Sequence, residues 1–335
     1  MEMNAKANYD TWMRKKILKI GGFILLTLLL LGILILVLRQ FGYGNEHKDE
    51  ENIHLSEEDR HLDIEITTPL YDNQVGLEKQ IDLEAQIHEL INQTAGIIGL
   101  SYYCLTTSRH ITINADQTFF SASTIKLPTH MMIAELVEVG ILSWEQMLTV
   151  KESDWLGGSG ILQYGVNIGY ELTLYEVMRH SIIYSDNLAH RMLTRTLIPG
   201  FQHGYFGLDN SHWHLTAEIF NRYLSGESPT GRMELSPNHL TEIFRILYHD
   251  HQQISGYEII LEYMMNTAWT DGFASSITNE VVAHIPGWRD PEHHDSGIFF
   301  IEEPYILIVM TSGVFDAATF ISRISDLVLE YHALK

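Results

Sequence analysis

The sequence predicts an α+β protein, in which an antiparallel sheet flanked by helices is built from both ends of a globular region, with an all-helical lobe between them. Two strand-like runs, 97–105 and 110–114, occur early in this region. Three more apolar runs follow residue 280, and the stretch between is dominated by helical periodicity. Segregation of strands and helices along the chain is typical of the α+β class.

The N-terminal part of the globular region is predicted to hold a helix, a hairpin and a second helix. The two strand-like runs are separated by four polar residues, a length typical of a hairpin loop. The second helix is predicted to begin near Ser123 and to end at Gly140. The first helix is predicted from apolar residues at helical spacing, which are Leu83, Ile87, Leu90 and Ile91.

The central and C-terminal elements are predicted in the same way. An amphipathic helix over 172–183 is followed by a helix from Leu188, and 215–265 is helical with a polar break at 226–234. The late strands are predicted at Val281–His284, Gly297–Ile301 and Tyr305–Thr311, before a long C-terminal helix over Phe315–His332.

The first 80 residues differ in composition from the rest. Residues 1–19 are polar and basic, and 20–38 contain no charge. As a helix the second segment spans roughly 28 Å, close to the bilayer core, which predicts one transmembrane signal-anchor. The cations before it predict a cytoplasmic N-terminus. Residues 39–80 are then an extracellular linker and 81–335 an extracellular domain at a Gram-positive-like cell membrane.

Composition excludes several functions. The formal net charge of −22 argues against a nucleic-acid partner, because phosphate binding needs basic patches. The single cysteine, Cys104, excludes an intrachain disulfide and lies in an apolar run typical of a buried residue. The histidines show no standard metal-ligand spacing, so no metal site is predicted, and nothing in the sequence calls for a cofactor.

A Ser-x-x-Lys motif, Ser123 and Lys126, is the first candidate for catalysis. On a helix, residues three apart lie on one face, so the amine lies near the hydroxyl. A serine hydroxyl becomes a good nucleophile when a base takes its proton, and a lysine whose pKa is lowered by burial can be that base. A helix-capping serine followed by a solvated lysine gives the same pattern, so this motif alone leaves both interpretations open.

A second motif, Ser185-Asp186-Asn187, lies downstream and favours the catalytic interpretation. Its hydroxyl can relay a proton between the lysine and a leaving amine. The asparagine amide can bind a substrate carbonyl and the lysine at once. The pair of motifs is much rarer by chance than either motif alone.

The two motifs in this order resemble those of the class A β-lactamases and penicillin-binding serine hydrolases, over about residues 81–333. The resemblance implies that Ser123 is the acylated nucleophile and that Lys126 is its base, or part of it. It implies that Ser185 shuttles the proton and that Asn187 positions the substrate amide. Similar segments also occur at 119–123, 158–163, 282–284 and 294–298.

The third motif of the family departs from its usual Lys-Thr-Gly, because Ile285-Pro286-Gly287 occupies that position. The resemblance implies an oxyanion hole formed by the backbone N–H groups of Ser123 and Trp288. The missing lysine would help to bind a substrate carboxylate, and loss of such a bond costs about 1.5–3 kcal/mol. His284 and Arg289 flank the gap and are the candidates to supply charge for substrate binding.

The deacylating glutamate of class A enzymes is also missing. No glutamate occurs between Asn187 and Leu215, and Asp209 is the only acid there. We therefore expect a membrane-anchored serine hydrolase or acyl transferase that is acylated by a β-lactam or a cell-wall-peptide-like amide and is slow in deacylation. A catalytically impaired module that senses wall fragments or a protein partner remains an alternative, and an active class A β-lactamase is a further one.

Overall fold

The computed structural model describes residues 82–202, 233–275, 277 and 282–333. The predicted cytoplasmic segment, signal-anchor and linker all lie outside these residues. None of the helices in the described ranges is both long enough and apolar enough to span a membrane. The predicted polar break at 226–234 lies almost entirely outside the described residues as well.

The secondary structure follows the predicted order of a helix, a strand pair, a helical stretch, strands and a final helix. Short strands also interrupt the helical stretch, and one of them, Glu171–Thr173, lies where a helix was predicted to begin at Leu172. The helices are α1 (82–92), α2 (Lys126–Glu138), α3 (Leu174–Ile183), α4 (Asn187–Gln202), α5 (Pro237–Asp250), α6 (Ser255–Met265) and α7 (Ala317–Ala333). The strands are β1 (Ile97–Cys104), β2 (His110–Ile113), β3 (Phe119–Phe120), β4 (Met147–Thr149), β5 (Glu171–Thr173), β6 (Glu234–Leu235), β7 (Val282–His284), β8 (Gly287–Arg289), β9 (Glu292–Phe299) and β10 (Tyr305–Ser312).

The main sheet is antiparallel and joins the two ends of the domain, as predicted. Its order is β2-β1-β10-β9-β7, and β8 also pairs with β9. β1 and β10 pair along their whole length, from Ile97 opposite Ser312 to Cys104 opposite Tyr305. This pairing places the last strand in the centre of the sheet and leaves β7 and β8 at its edge.

Both faces of the sheet are covered, which explains why the central strands are apolar throughout rather than alternating. On β10, Ile306 and Ile308 pack in the core shared with α2 to α6, whereas Leu307 and Val309 pack in the core shared with α1 and α7. Cys104 is a free, fully buried thiol in the second core.

The edge of the sheet differs from the prediction. β9 begins at Glu292 instead of Gly297, and β8 was not predicted. The polar run at the start of β9 hides its strand character, but these side chains are mostly buried because β8 and β10 pair with it on either side. This added hairpin lies beside the turn that carries Ser123, since its first residue, Gly287, packs against that turn.

Candidate active site

Ser123 lies in a single 3-10 turn, Ala122–Ile125, that leads directly into α2. Ala122 has a left-handed backbone conformation, with φ of 46°, which is uncommon for a residue with a side chain. The residue before this turn is bonded to a distant segment, because the backbone N–H and the hydroxyl of Ser121 both donate to the Met233 carbonyl at 3.0 Å. Ser123 is half-buried.

Lys126 is the first residue of α2, and its side chain is directed at the second motif. Its Nζ donates to the Ser185 carbonyl oxygen at 2.5 Å, to Ser185 Oγ at 3.0 Å and to Asn187 Oδ1 at 2.9 Å. Three acceptors match the three protons of an ammonium group. All three acceptors are formally neutral, so no carboxylate shares a direct ion pair with this amine.

Burial decides the protonation of Lys126, which is 2% exposed. Removal from water disfavours the charged form and lowers the pKa of Lys126 to about 7, although the nearby Asp186 carboxylate acts in the opposite direction. At neutral pH a large fraction of the amine is therefore unprotonated. An unprotonated amine has a lone pair that can take a proton from a serine hydroxyl.

The second motif is held in position at the junction of α3 and α4. Ser185 has a φ of 48°, a second left-handed residue with a side chain in the site. Asn187 Nδ2 donates to the Gly157 carbonyl at 2.8 Å. This bond fixes the amide so that its oxygen faces Lys126.

Asp186, between these two residues, is a structural anchor that sequence reasoning did not single out. It is 1% exposed. Its two carboxylate oxygens accept from the backbone N–H of Leu162 at 2.8 Å and of Ala189 at 3.0 Å. Position 160 requires glycine, because a Cβ there would lie 2.2 Å from Asp186 Oδ2. The aspartate therefore joins the glycine-rich loop to the start of α4.

We call residues 155–162 the loop wall, because this segment lies directly against the second motif. Ser159 Oγ donates to the Ser185 carbonyl at 2.9 Å, and the Asn187 N–H donates to the Ser159 carbonyl at 3.0 Å. Next to it, Arg195 of α4 holds the buried Asp154 with two bonds of 2.9 and 2.8 Å. Such a two-pronged contact fixes both position and orientation.

We call residues 285–288 the edge wall, which runs from the end of β7 into β8. Ile285 is 4% exposed and belongs to the core below the site, and its N–H donates to the Ser296 carbonyl at 2.8 Å. A Cβ on Gly287 would lie 3.2 Å from the Ser123 nitrogen, so the strand backbone passes close to the nucleophile. Trp288, the predicted second oxyanion donor, follows directly and is 62% exposed.

The two residues expected to supply charge are placed differently. His284 is 2% exposed and contacts Asp295 at 3.0 Å, on the face of the sheet that Phe273 covers. Burial alone would lower the pKa of His284, but the Asp295 carboxylate outweighs it and raises the pKa. The guanidinium carbon of Arg289 lies 5.3 Å from the centre of the Phe120 ring. Residues 285–288 thus carry no charged side chain themselves, and the exposed Arg289 directly follows them.

Two buried histidines near Lys126 were also missed from the sequence. His130, one turn further along α2, and His190, on α4, have ring centres 6.4 Å apart. Burial, together with the charge of Lys126, holds the pKa of both well below its usual value, so they are neutral. The signal was available, because 126 and 130 are four apart and share a helix face.

The described residues thus bring Lys126, Ser185 and Asn187 into contact, with Ser123 three residues before the lysine. Such an arrangement can supply a nucleophile, a buried base and a hydroxyl that passes a proton. No group of three or more potential metal ligands occurs among the described residues.

Comparison with known proteins extends this picture. The model of the beta-lactamase enzyme family matches residues 82–332. A comparison with curated proteins finds no significant relative. Among solved structures, PBP-A superposes with a TM-score of 0.61 at 20% identity, over 76% of this chain and 96% of that chain. A variant of PBP-A, solved as an acyl-enzyme complex with penicillin G, gives a TM-score of 0.62 at the same identity and coverage.

A β-lactamase from Xanthomonas campestris pv. campestris gives a TM-score of 0.61 at 18% identity, over 75% of this chain and 97% of that chain. These likenesses show the fold, in agreement with the α+β architecture predicted from the sequence. The family model covers both motifs and most of the chain. The chain therefore belongs to the beta-lactamase enzyme family.

Proposed function

We propose that this chain is a serine acyl hydrolase or acyl transferase that forms an acyl-enzyme at Ser123 with a β-lactam or a cell-wall-peptide-like amide. The observation that carries the proposal is the buried amine of Lys126, which contacts both Ser185 and Asn187 and has a pKa of about 7. Burial of an amine costs free energy, so this lysine contributes little to the stability of the fold. Its lowered pKa suits it to act as a base.

The chemistry follows from the contacts. Ser123 Oγ attacks the carbonyl carbon, and its proton passes to the neutral Lys126 amine. The bond from the carbonyl carbon to the leaving nitrogen then breaks, and that nitrogen takes the proton through the Ser185 hydroxyl. The product is an ester between Ser123 and the acyl group. The N–H groups of Ser123 and Trp288 would stabilise the negative oxygen of the intermediate, where one such donor is worth about 3–4 kcal/mol.

Deacylation is the slow step of the proposed cycle. Release of the acyl group needs a base that activates water, and the sequence has no glutamate between Asn187 and Leu215. Without a positioned base, water attacks the ester slowly. The acyl-enzyme should therefore accumulate.

The test is intact-mass analysis of the full-length chain in detergent after incubation with excess benzylpenicillin. A stable adduct that is absent from Ser123→Ala supports the proposal. The absence of any adduct with benzylpenicillin and with activated esters, in a protein that remains folded, contradicts it. Rapid hydrolysis of a chromogenic cephalosporin would show that deacylation is efficient and that the chain acts as a lactamase.

The proposal includes a location. The uncharged segment 20–38 acts as a single signal-anchor, with 1–19 in the cytoplasm and the catalytic domain outside the cell at a Gram-positive-like surface. Its test is protease treatment of intact cells. Loss of the domain with protection of a short N-terminal tag is expected, and protection of the whole chain contradicts this location.

A second candidate function is a non-catalytic sensor of wall fragments or of a partner protein. The observation that favours it is the edge wall, where the buried Ile285 offers no polar group to a substrate. A sensor binds without chemistry, so Ser123→Ala would leave its binding and its cellular role unchanged. Acylation at Ser123 with loss of function in that variant would exclude it.

A further inference from the structure

The loop wall exposes large apolar side chains beside the second motif, which contacts Lys126. Trp155 is 41%, Leu156 64% and Ile161 47% exposed. They immediately flank the segment that contacts Ser185 and Asn187. Exposed apolar side chains that cluster around a functional cleft mark a binding surface for an apolar group.

The edge wall on the other side is also without charge. Ile285 is buried in the core, and Pro286 has neither a backbone N–H nor a polar side chain. Gly287 adds only backbone, and Trp288 adds a large aromatic surface that is 62% exposed. Neither wall therefore offers an ionised partner to a substrate, although both offer apolar contact.

The cations near the site, among the described residues, are already engaged by other groups. Lys126 contacts the motif residues, and its Nζ already donates to Ser185 and Asn187, so even when protonated it has no N–H group left for a carboxylate. The exposed Arg289, directly after the edge wall, has its guanidinium carbon 5.3 Å from the centre of the Phe120 ring, so this cation is engaged by an aromatic face. A carboxylate buried without a cationic partner carries a large desolvation cost. The net charge of −22 adds a long-range repulsion of anions.

We infer that, among the acyl donors of this site, a neutral ester or amide with an apolar chain or ring beside the reacting carbonyl reacts faster than a donor that bears a carboxylate. The inference rests on the proposed acylation of Ser123 and names the substrate class of that site. With an aryl ester, the Ser123 oxygen forms a bond to the acyl carbon and the bond from that carbon to the phenolic oxygen breaks. The serine proton leaves with the phenol. Water later cleaves the ester, releases the acid and restores the hydroxyl.

The experiment uses two esters that differ in one charge. The full-length chain in detergent is assayed with p-nitrophenyl hexanoate and with mono-p-nitrophenyl adipate, which has the same chain length and ends in a carboxylate. We expect kcat/KM for the neutral ester to be higher by about tenfold or more, a difference of about 1.4 kcal/mol. Ser123→Ala supplies the background for each ester.

Three variants sharpen the result. Leu156→Lys adds a cation to the loop wall, so the preference for the neutral ester should fall about tenfold, and Leu156→Ser should weaken the neutral ester alone. Phe315→Ser is the matched control, because Phe315 is 96% exposed on the turn before α7 and should leave both rates unchanged.

The outcomes separate the two claims. Equal or faster acylation by the carboxylate-bearing ester overturns this inference and leaves the acylation of Ser123 in place. No acylation by either ester, or by benzylpenicillin, overturns the proposed function and this inference with it. A preference that Leu156→Lys does not change overturns the assignment to the loop wall.

Discussion

The two sides of the cleft are built on different principles. On the side of α2, α3 and α4, one amine is surrounded by three acceptors, and each acceptor is itself held by a further bond or by the backbone. On the side of the edge wall, a buried isoleucine, a proline and a glycine leave backbone as the main polar element. One side holds the proposed base, and the other has few polar side chains to offer a substrate.

This difference shows that the contacts of Lys126 do not depend on the side chains of the edge wall. The lysine is buried and positioned by residues of the helical lobe, and no side chain from β7 or β8 donates to or accepts from it among the described residues. Loss of a charged residue from the edge of the sheet therefore leaves the base intact.

The largest effect is expected from Lys126→Met, which removes the amine and keeps a side chain of similar length. Acylation of Ser123 should fall by about 10²- to 10⁴-fold, the usual contribution of a general base. The measurement is the rate of adduct formation by intact mass. Lys151→Met, at an exposed lysine before the loop wall, is the control and should react like the parent chain. Acylation within about tenfold of the parent would place the base elsewhere.

The pH profile gives the next largest effect. Because the lysine acts as a base only when neutral, the acylation rate should rise about tenfold per pH unit below pH 7 and level off above it, as the pKa of Lys126 is about 7. Stopped-flow acylation between pH 5 and 9 tests this. A rate that is flat across pH 7 would mean that another group, or no group, takes the proton.

Gly287→Ala tests how closely the edge wall must approach the nucleophile. The new Cβ would lie 3.0 Å from Thr124 Cγ2 and 3.1 Å from the Ser121 carbonyl oxygen, so β8 or the turn has to move by a few tenths of an ångström. We expect a loss of about 1–2 kcal/mol in transition-state stabilisation, roughly tenfold in acylation rate. Gly165→Ala is the control, because its nearest atom would be 4.0 Å away. Equal rates for both variants would show that this contact is loose.

Burial of Lys126 should also appear in the stability of the fold. Its pKa is about 7 in the folded chain and 10.5 in the unfolded chain, so between these values the unfolded state binds more protons. The free energy of unfolding should therefore rise with pH from 7 to 9, by about 1 kcal/mol per pH unit. Urea unfolding at several pH values measures this slope. Its persistence in Lys126→Met would assign it to another group.

The smallest effect is expected on the edge wall itself. Pro286→Ser adds a hydroxyl but no charge, and one neutral hydrogen bond is worth about 0.5–1.5 kcal/mol. Acylation by a carboxylate-bearing donor should therefore improve by less than about tenfold. Leu156→Ser, on the loop wall, is the comparison and should not improve it. A gain of a hundredfold would show that the proline was the main obstacle on this side.

The fold was largely predictable because its signals are local. Helical spacing identified α1, and apolar runs identified β1, β2 and β10. β8 and the start of β9 were not predicted, because His293 and its neighbours are polar and their burial depends on pairing with distant strands. Periodicity in the sequence shows which side of a helix or strand is apolar. It does not show whether a run of polar residues is buried by strands from elsewhere in the chain.

The site shows the same division. The serine, lysine and asparagine of the two motifs could be named from spacing, and the structure brings Lys126 into contact with Ser185 and Asn187. The orientation of His284 could not be predicted from the sequence, because a shift of one residue along a strand moves a side chain to the opposite face of the sheet. The hydrogen bond from Ser159 to the Ser185 carbonyl could not be predicted either, because it depends on a loop whose path is set by tertiary contacts.

Asp186 has a consequence for how substrate binding and turnover are coupled. One carboxylate holds both the loop that carries the apolar side chains and the first turn of the helix that carries Asn187. A substrate group that displaces this loop should therefore also shift Asn187, whose Oδ1 accepts a hydrogen bond from Lys126. Bulky substrates should therefore lose speed together with affinity, whereas groups that leave the loop in place change affinity alone.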